Sequence, residues 1–222
     1  MRLRSRHRTT APLAAVVLTA SLGGCAFSQP EPSGAPTPAP TETVTVTATP
    51  EPTPTQSPPA AALVIPDCEQ LVPIDTIQQY ESWRRVVLIQ SMEGTAIAED
   101  LPGPAARQAA SRAQQNRGCL LGVPQSDSAV GVYTLEITPE ARDDLIEQLR
   151  TDGGYAESQV DGAPSFAIAT EEGLGGTTVS YTFVGDAWLI LRGSLIDAQT
   201  AAWIAAPTVA QLRAANPGLD DR

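Results

Sequence analysis

Lysine is absent from this chain of 222 residues, and its one histidine is His7. Loss of the first 24 residues as an export signal, as argued below, removes that histidine too. The remaining chain then cannot build a Ser-His-Asp triad, a Cys-His pair, an imidazole-ligated metal site or a lysine Schiff base. Only carboxylates, tyrosines, arginines and serine hydroxyls are left for catalysis. We therefore expect a protein that is not an enzyme and that carries no metal or cofactor.

Positive charge is also scarce. The chain has 14 basic and 25 acidic residues, for a formal net charge of −11. Without residues 1–24, ten arginines against 25 acidic residues leave −15. A strongly acidic surface lacks the basic footprint of nucleic-acid binding, so we expect no nucleic-acid partner. The lysine-free composition, rich in alanine, arginine, glycine and proline, is typical of a GC-rich genome such as that of an actinobacterium.

The N-terminal apolar run, residues 11–22, is too short to cross a bilayer, which takes about 20 residues. It follows the basic stretch MRLRSRHR and precedes small residues, which is the order of a secretory signal peptide. Leu22-Gly23-Gly24-Cys25 resembles the lipobox of bacterial lipoproteins. That resemblance implies removal of residues 1–24 and acylation of Cys25, with chains such as palmitate holding the protein on the outer face of the cytoplasmic membrane. The alternative is a secreted protein in which Cys25 is incidental.

Residues 25–66 form a separate region, in which Cys25 is followed by a stalk. Residues 26–66 hold 11 prolines and 8 threonines, and Phe27 is their one aromatic residue. Proline removes backbone donors, and the segment has too little apolar surface to offset the entropy cost of ordering. We expect an extended, disordered linker. A single globular domain is predicted over residues 67–222.

The domain contains two cysteines, Cys68 and Cys119. Outside the membrane, an even number of cysteines most simply indicates a disulfide. Closing a loop of about 50 residues is worth roughly 4 kcal/mol from chain entropy. A redox-active pair is the alternative, but the spacing is not C-x-x-C and no lysine or histidine lies nearby to lower a thiol pKa.

Periodicity and turn residues predict a mixture of helices and strands. The predicted elements are a short helix or turn at 67–80, a strand or helical segment at 83–92, a helix at 103–117, strands at 119–123 and 130–138, a helix from Pro139 to the Gly153-Gly154 pair, a hairpin at 177–193 and a last helix that begins at Pro207. Thr138 is the predicted N-cap of the Pro139 helix. The sum is an α+β fold, a mainly antiparallel sheet with packed helices.

The hairpin is the strongest local pattern. Two β-rich runs flank Gly185-Asp186 as a two-residue turn, which pairs Phe183 with Trp188 and Tyr181 with Ile190. Such aromatic side chains either pack in the core or line a ligand groove. The candidate ligand-binding residues are Tyr133, Phe166, Tyr181 and Trp188.

The layout is similar to that of a group of actinobacterial lipoproteins of unknown role. A lipobox and a Pro/Thr stalk precede a C-x-x-L motif, here Cys68 to Leu71, and a second cysteine follows some fifty residues later, here Cys119. Leu121 stands where the group often has tryptophan. The resemblance implies an envelope lipoprotein and specifies no activity.

Other chemistry-bearing residues form no recognised motif. Asp143, Asp144 and Glu147 share one predicted helix and are typical of a solvated face. The acidic, glycine-rich loop at 171–176 lacks EF-hand spacing. We expect a binding or scaffolding module whose partner is a cell-wall component or a membrane protein. The alternatives are a carrier of a small apolar ligand and a wall-glycan hydrolase that uses two carboxylates.

Overall fold

A seven-stranded antiparallel sheet organises the fold. The computed structural model describes residues 62–93, 97–171, 176–194 and 196–222. Its strands are β1 Val87–Glu93, β2 Gln115–Gly122, β3 Ala129–Glu136, β4 Ala156–Val160, β5 Ala163–Thr170, β6 Thr177–Val184 and β7 Ala187–Ser194. They lie in the order β1-β2-β3-β7-β6-β5-β4, and every neighbouring pair is antiparallel. The predicted signal peptide, Cys25 and the stalk as far as residue 61 lie outside the described residues.

Helices cover both faces of the sheet. They are α1 Cys68–Leu71, α2 Ile74–Ile77, α3 Pro104–Ser111, α4 Pro139–Asp152 and α5 Ala198–Ala215, with 3-10 turns at Glu81–Trp83, Ile97–Asp100 and Leu219–Asp221. On the first face, α1, α2 and α5 pack on side chains such as Val132 and Leu191. On the second face, α3 and α4 pack on side chains such as Leu135 and Ile190. The α+β fold predicted from the sequence is confirmed.

The strand pattern explains the two cores. Successive side chains of a strand point to opposite faces, and in β7 Leu189 and Leu191 enter the first core while Trp188 and Ile190 enter the second. Central strands that are buried on both faces therefore lose the simple apolar-polar alternation.

Several local predictions are confirmed. Phe183 pairs with Trp188 and Tyr181 with Ile190 across the Gly185-Asp186 turn. Thr138 caps α4, because its hydroxyl accepts a hydrogen bond from the Ala141 amide. Of residues 83–92, left open between a strand and a helical segment, those from Val87 onward belong to β1, and Trp83 ends a 3-10 turn. A disulfide joins Cys68 of α1 to Cys119 of β2.

The helix predicted at 103–117 is wrong in its second half. The helix α3 ends at Ser111, and β2 begins at Gln115. Residues 115–118 pair with β3, and the Arg117 guanidinium contacts the carboxylates of Asp67 and Glu93. These pairings override the modest intrinsic helix preference of an alanine-rich segment.

The last helix begins nine residues earlier than predicted, so Pro207 lies inside α5. The Asp197 carboxylate accepts a hydrogen bond from the Thr200 amide and caps the helix N-terminus. An internal proline forfeits one backbone hydrogen bond. Burial of Ala201, Ile204 and Ala205 against the sheet offsets that loss.

The chain also joins the domain earlier than the predicted boundary at 67. Leu63 is buried, and its amide donates to the Glu136 carboxylate. The Asn216 side chain accepts a hydrogen bond from the Val64 amide and donates one to the Val64 carbonyl. Residues 62–66, assigned to the stalk from their composition, are therefore fastened to the domain.

Candidate functional site

An aromatic ring lies flat on the second face of the sheet, beside the part that α3 and α4 cover. Tyr133 of β3 packs over two glycines, and a Cβ at Gly118 or Gly131 would come within 2.9 Å or 2.5 Å of its ring atoms. The Tyr133 hydroxyl reaches over Gly131, which is the register partner of Arg192 on β7. The glycines thus let a half-buried tyrosine lie on the backbone, with its hydroxyl directed toward an arginine.

Arg192 occupies an apolar position of its strand. It follows Trp188 and Ile190 at the two-residue period, so its side chain shares their face. The residue is half-buried, and within the part of the chain that the structure describes it has no hydrogen bond and no ion pair. A half-buried guanidinium with five free donors is available to a ligand.

Arg192 lines a cavity of about 390 Å³, which we call the arginine cavity. A second arginine, Arg107 of α3, also lines it and donates a hydrogen bond to the Leu101 carbonyl. Between the strands and α3, the lining is completed by Glu99, Asp100, Leu101, Pro102, Gly103, Thr170, Thr177 and Val179. Ligand pockets commonly measure 300–1,000 Å³, so the arginine cavity can hold a small molecule.

The charges of the arginine cavity are balanced but unpaired. Two carboxylates, Glu99 and Asp100, face two guanidinium groups, Arg107 and Arg192. Throughout the described ranges, every ion pair within 4.0 Å involves other side chains. Each sign of charge is therefore free to meet a complementary group on a ligand.

Backbone polarity adds to the positive side of the cavity. Its lining includes Gly103, the N-cap of α3, where no side chain caps the helix and no acidic residue occupies the first turn. The positive end of a helix dipole favours an anionic group nearby. The N-terminus of α3 therefore adds partial positive charge to that of the two arginines.

Burial raises the pKa of the two tyrosine hydroxyls near the cavity. Desolvation raises the pKa of Tyr133, the positive charge of Arg192 opposes this rise, and Asp100 adds to it. Burial likewise raises the pKa of Tyr155, whose hydroxyl donates to the Pro102 carbonyl. At neutral pH both side chains therefore keep their protons and act as hydrogen-bond donors.

The structure separates the four aromatic residues predicted as ligand-binding candidates. Phe166, Tyr181 and Trp188 are fully buried in the second core. The Tyr181 and Trp188 rings lie 5.3 Å apart, edge to face. These three side chains fill the core and do not line the arginine cavity, whereas Tyr133 lies at its margin.

Other sequence candidates lie apart from the cavity. Asp143, Asp144 and Glu147 are exposed on α4, and Asp143 pairs with Arg142. Among the described residues, no group of three or more histidine, cysteine, aspartate or glutamate side chains is placed to hold a metal ion. Residues 172–175 of the acidic, glycine-rich loop lie outside the described ranges.

A larger cavity of about 480 Å³ lies beside the N-terminus of α5. Its sheet lining is built largely from small side chains, including Ala156, Ala167 and Ala169. Asp197, one of its two acidic residues, is engaged in capping the helix. The polar side chains that line it are three threonines and two carboxylates, it contains no arginine, and none of the four aromatic candidates lines it.

The cavity residues escaped the sequence analysis because they come from separate segments. One signal was present in the hairpin, where Arg192 interrupts an otherwise apolar face after Trp188 and Ile190. A charged residue at a core-facing position of a strand is unusual and calls for a partner. That partner is not visible in the local sequence.

Comparisons with protein-family models, with curated proteins and with solved structures find no match to this chain. Within the described segments, no helix is both long enough and apolar enough to span a bilayer.

Proposed function

We propose that this protein is a lipid-anchored, extracytoplasmic binding module of the cell envelope. The observation that carries the proposal is the arginine cavity, an open, charged pocket built on a filled core. The cores on both faces are filled by tightly packed side chains such as Trp188 and Leu189, which favours a binding or scaffolding role over that of a carrier for an apolar ligand.

The location rests on the residues that precede the domain and on the disulfide. The lipobox-like Leu22-Gly23-Gly24-Cys25 supports acylation of Cys25, and the Pro/Thr-rich segment supports a tether between membrane and domain. The Cys68–Cys119 disulfide is typical of proteins that fold outside the cytoplasm. A cell-wall component or a membrane protein is then the partner within reach.

The anchor is tested in a bacterial host with a lipoprotein-processing pathway. We expect the parent chain to sediment with membranes and to carry an acylated N-terminal Cys25 by mass spectrometry. The Cys25→Ser variant should leave the membrane fraction, whereas Ser28→Ala, three residues away, should stay in it. An unmodified Cys25 peptide from the membrane fraction contradicts the anchor.

The binding role is tested by crosslinking in the same cells. A photoreactive amino acid replaces Glu99, an exposed residue at the rim of the arginine cavity. The matched control carries it at Glu147, an exposed residue of α4 that lines none of the cavities described above. We expect an envelope component to be captured from position 99 only. Equal capture, or none, at the two positions contradicts the proposed function.

A further inference from the structure

The arginine cavity combines opposite charges that do not neutralise one another. Glu99 and Asp100 enter it from the 3-10 turn, Arg107 from α3 and Arg192 from β7. Across the described residues none of these four side chains pairs with another within 4.0 Å. The four side chains come from three separate elements, and Arg192 is the half-buried member of the group.

We infer that the arginine cavity binds a small zwitterion, a free amino acid or a short peptide with an unblocked ammonium and carboxylate. The ligand carboxylate meets the guanidinium groups of Arg192 and Arg107, which offer planar, forked donors. The ligand ammonium meets Asp100 and Glu99. This inference rests on the proposed function and specifies the chemical class of its ligand.

The lining disfavours the other ligand classes. A simple anion such as phosphate satisfies the arginines but is repelled by Glu99 and Asp100. An apolar ligand takes the half-buried guanidinium of Arg192 further out of water without giving it a hydrogen bond. A zwitterion satisfies both signs, and the volume of about 390 Å³ suits a molecule of dipeptide size.

Neighbouring groups add to the arginines that would bind the ligand carboxylate. Tyr133 stands beside Arg192 with its hydroxyl over Gly131, and the uncapped N-terminus of α3 adds its positive dipole. The backbone of Arg192 lies in β7, which is paired on both sides, with β3 and β6, so the strand that carries the guanidinium is a central one.

The test is an NMR titration of the mature chain carrying Cys25→Ser, observed through the arginine Nε–H signals. The probes are alanyl-alanine, its N-acetyl form, its C-terminal amide and inorganic phosphate. We expect alanyl-alanine to shift the Arg192 signal in a saturable way. Each blocked dipeptide should bind at least tenfold more weakly, and phosphate should shift the signal less than alanyl-alanine does.

Two variants assign the two charges separately. With Arg192→Gln, followed through the Arg107 signal, the preference for alanyl-alanine over its amide should fall at least threefold, because the carboxylate has lost one of its two partners. With Asp100→Asn, the preference over the N-acetyl form should fall by a similar factor, because the ammonium has lost one of its two partners. Arg85→Gln, a change at an exposed arginine outside the cavity, should preserve the full preference. Unchanged thermal unfolding of each variant shows that the fold is retained.

Equal binding of alanyl-alanine and both blocked forms overturns the inference, as does the absence of any saturable shift. Preferences that are undiminished in both Arg192→Gln and Asp100→Asn also overturn it. These results leave the crosslink from position 99 unaffected, so failure of the zwitterion assignment is distinguishable from failure of the proposed function.

Discussion

At the scale of single residues, two glycines close the two tight hairpins but differ in their surroundings. Gly162 ends the Asp161-Gly162 turn between β4 and β5, and Gly185 begins the turn between β6 and β7. Both have positive φ, at 79° and 54°. A Cβ at Gly162 would meet no atom within 4 Å, whereas a Cβ at Gly185 would overlap the Leu219 carbonyl oxygen.

We therefore expect Gly185→Ala to lower the free energy of unfolding by about 2–4 kcal/mol, because backbone strain adds to overpacking. Gly162→Ala serves as the matched control and should cost about 1–2 kcal/mol from strain alone. Urea denaturation followed by tryptophan fluorescence measures both. Equal losses would show that the C-terminal turn moves away from the hairpin at no cost.

Arg192, unlike the two glycines, lowers the stability of the folded domain. Arg192 makes no hydrogen bond or ion pair with the residues that the structure describes, and a half-buried charge in that position costs desolvation free energy. Its neighbours on the same face of β7, Trp188 and Ile190, are fully buried core residues. An apolar residue at position 192 would fit that face, so the arginine is explained better by ligand binding than by packing.

At the scale of elements, the disulfide connects the first helix to the sheet. α1 is only four residues long and has no side-chain cap, so it is too short to be stable alone. The Cys68–Cys119 bond ties it to β2 across a sequence separation of 51 residues. Both cysteines are buried in the first core.

Removal of this bond should destabilise the domain strongly. The Cys68→Ala/Cys119→Ala variant is expected to lose about 4 kcal/mol of unfolding free energy, chiefly because the unfolded chain regains the entropy of a large loop. Urea denaturation without reductant gives the value, with Cys25→Ser as a control that should change nothing. A loss below about 1 kcal/mol would mean that core packing alone holds α1.

At the scale of the whole molecule, residues 62–66 are attached to the domain by specific contacts. The buried Leu63 and the two hydrogen bonds between Asn216 and the Val64 backbone hold this segment. Gln115 also donates to the Leu63 carbonyl. Residues 63 and 64 are thus fastened to β2, β3 and the end of α5.

This attachment predicts a difference between two fragments of the chain. Residues 62–222 should exceed residues 67–222 in unfolding free energy by about 2–4 kcal/mol, from one buried leucine and its hydrogen bonds. Asn216→Ala should cost more in the longer fragment than in the shorter one, because only the longer one contains Val64. Equal stability of the two fragments in urea would return the domain boundary to residue 67.

Local sequence patterns predicted the structure correctly where the contacts that determine it are close in sequence. The Gly185-Asp186 turn sets the register of β6 and β7, and Thr138 with Pro139 starts α4, because turn and cap chemistry act over two to four residues. The extent of α3 was mispredicted because residues 115–117 pair with β3, about twenty residues further along the chain. Pro207 was taken as a helix start because the burial that sustains α5 across it comes from the sheet.

By itself, the sequence determined the α+β class, the central hairpin and the pairing of the two domain cysteines, since these follow from periodicity, turn residues and an even cysteine count. Only the tertiary structure decided which aromatic side chains fill the core and which charged ones share a cavity. Arg107 and Arg192 are 85 positions apart in the numbering, and only the strand order brings the α3 and β7 segments to the same face. Contacts of that kind depend on sheet topology, which no local pattern encodes.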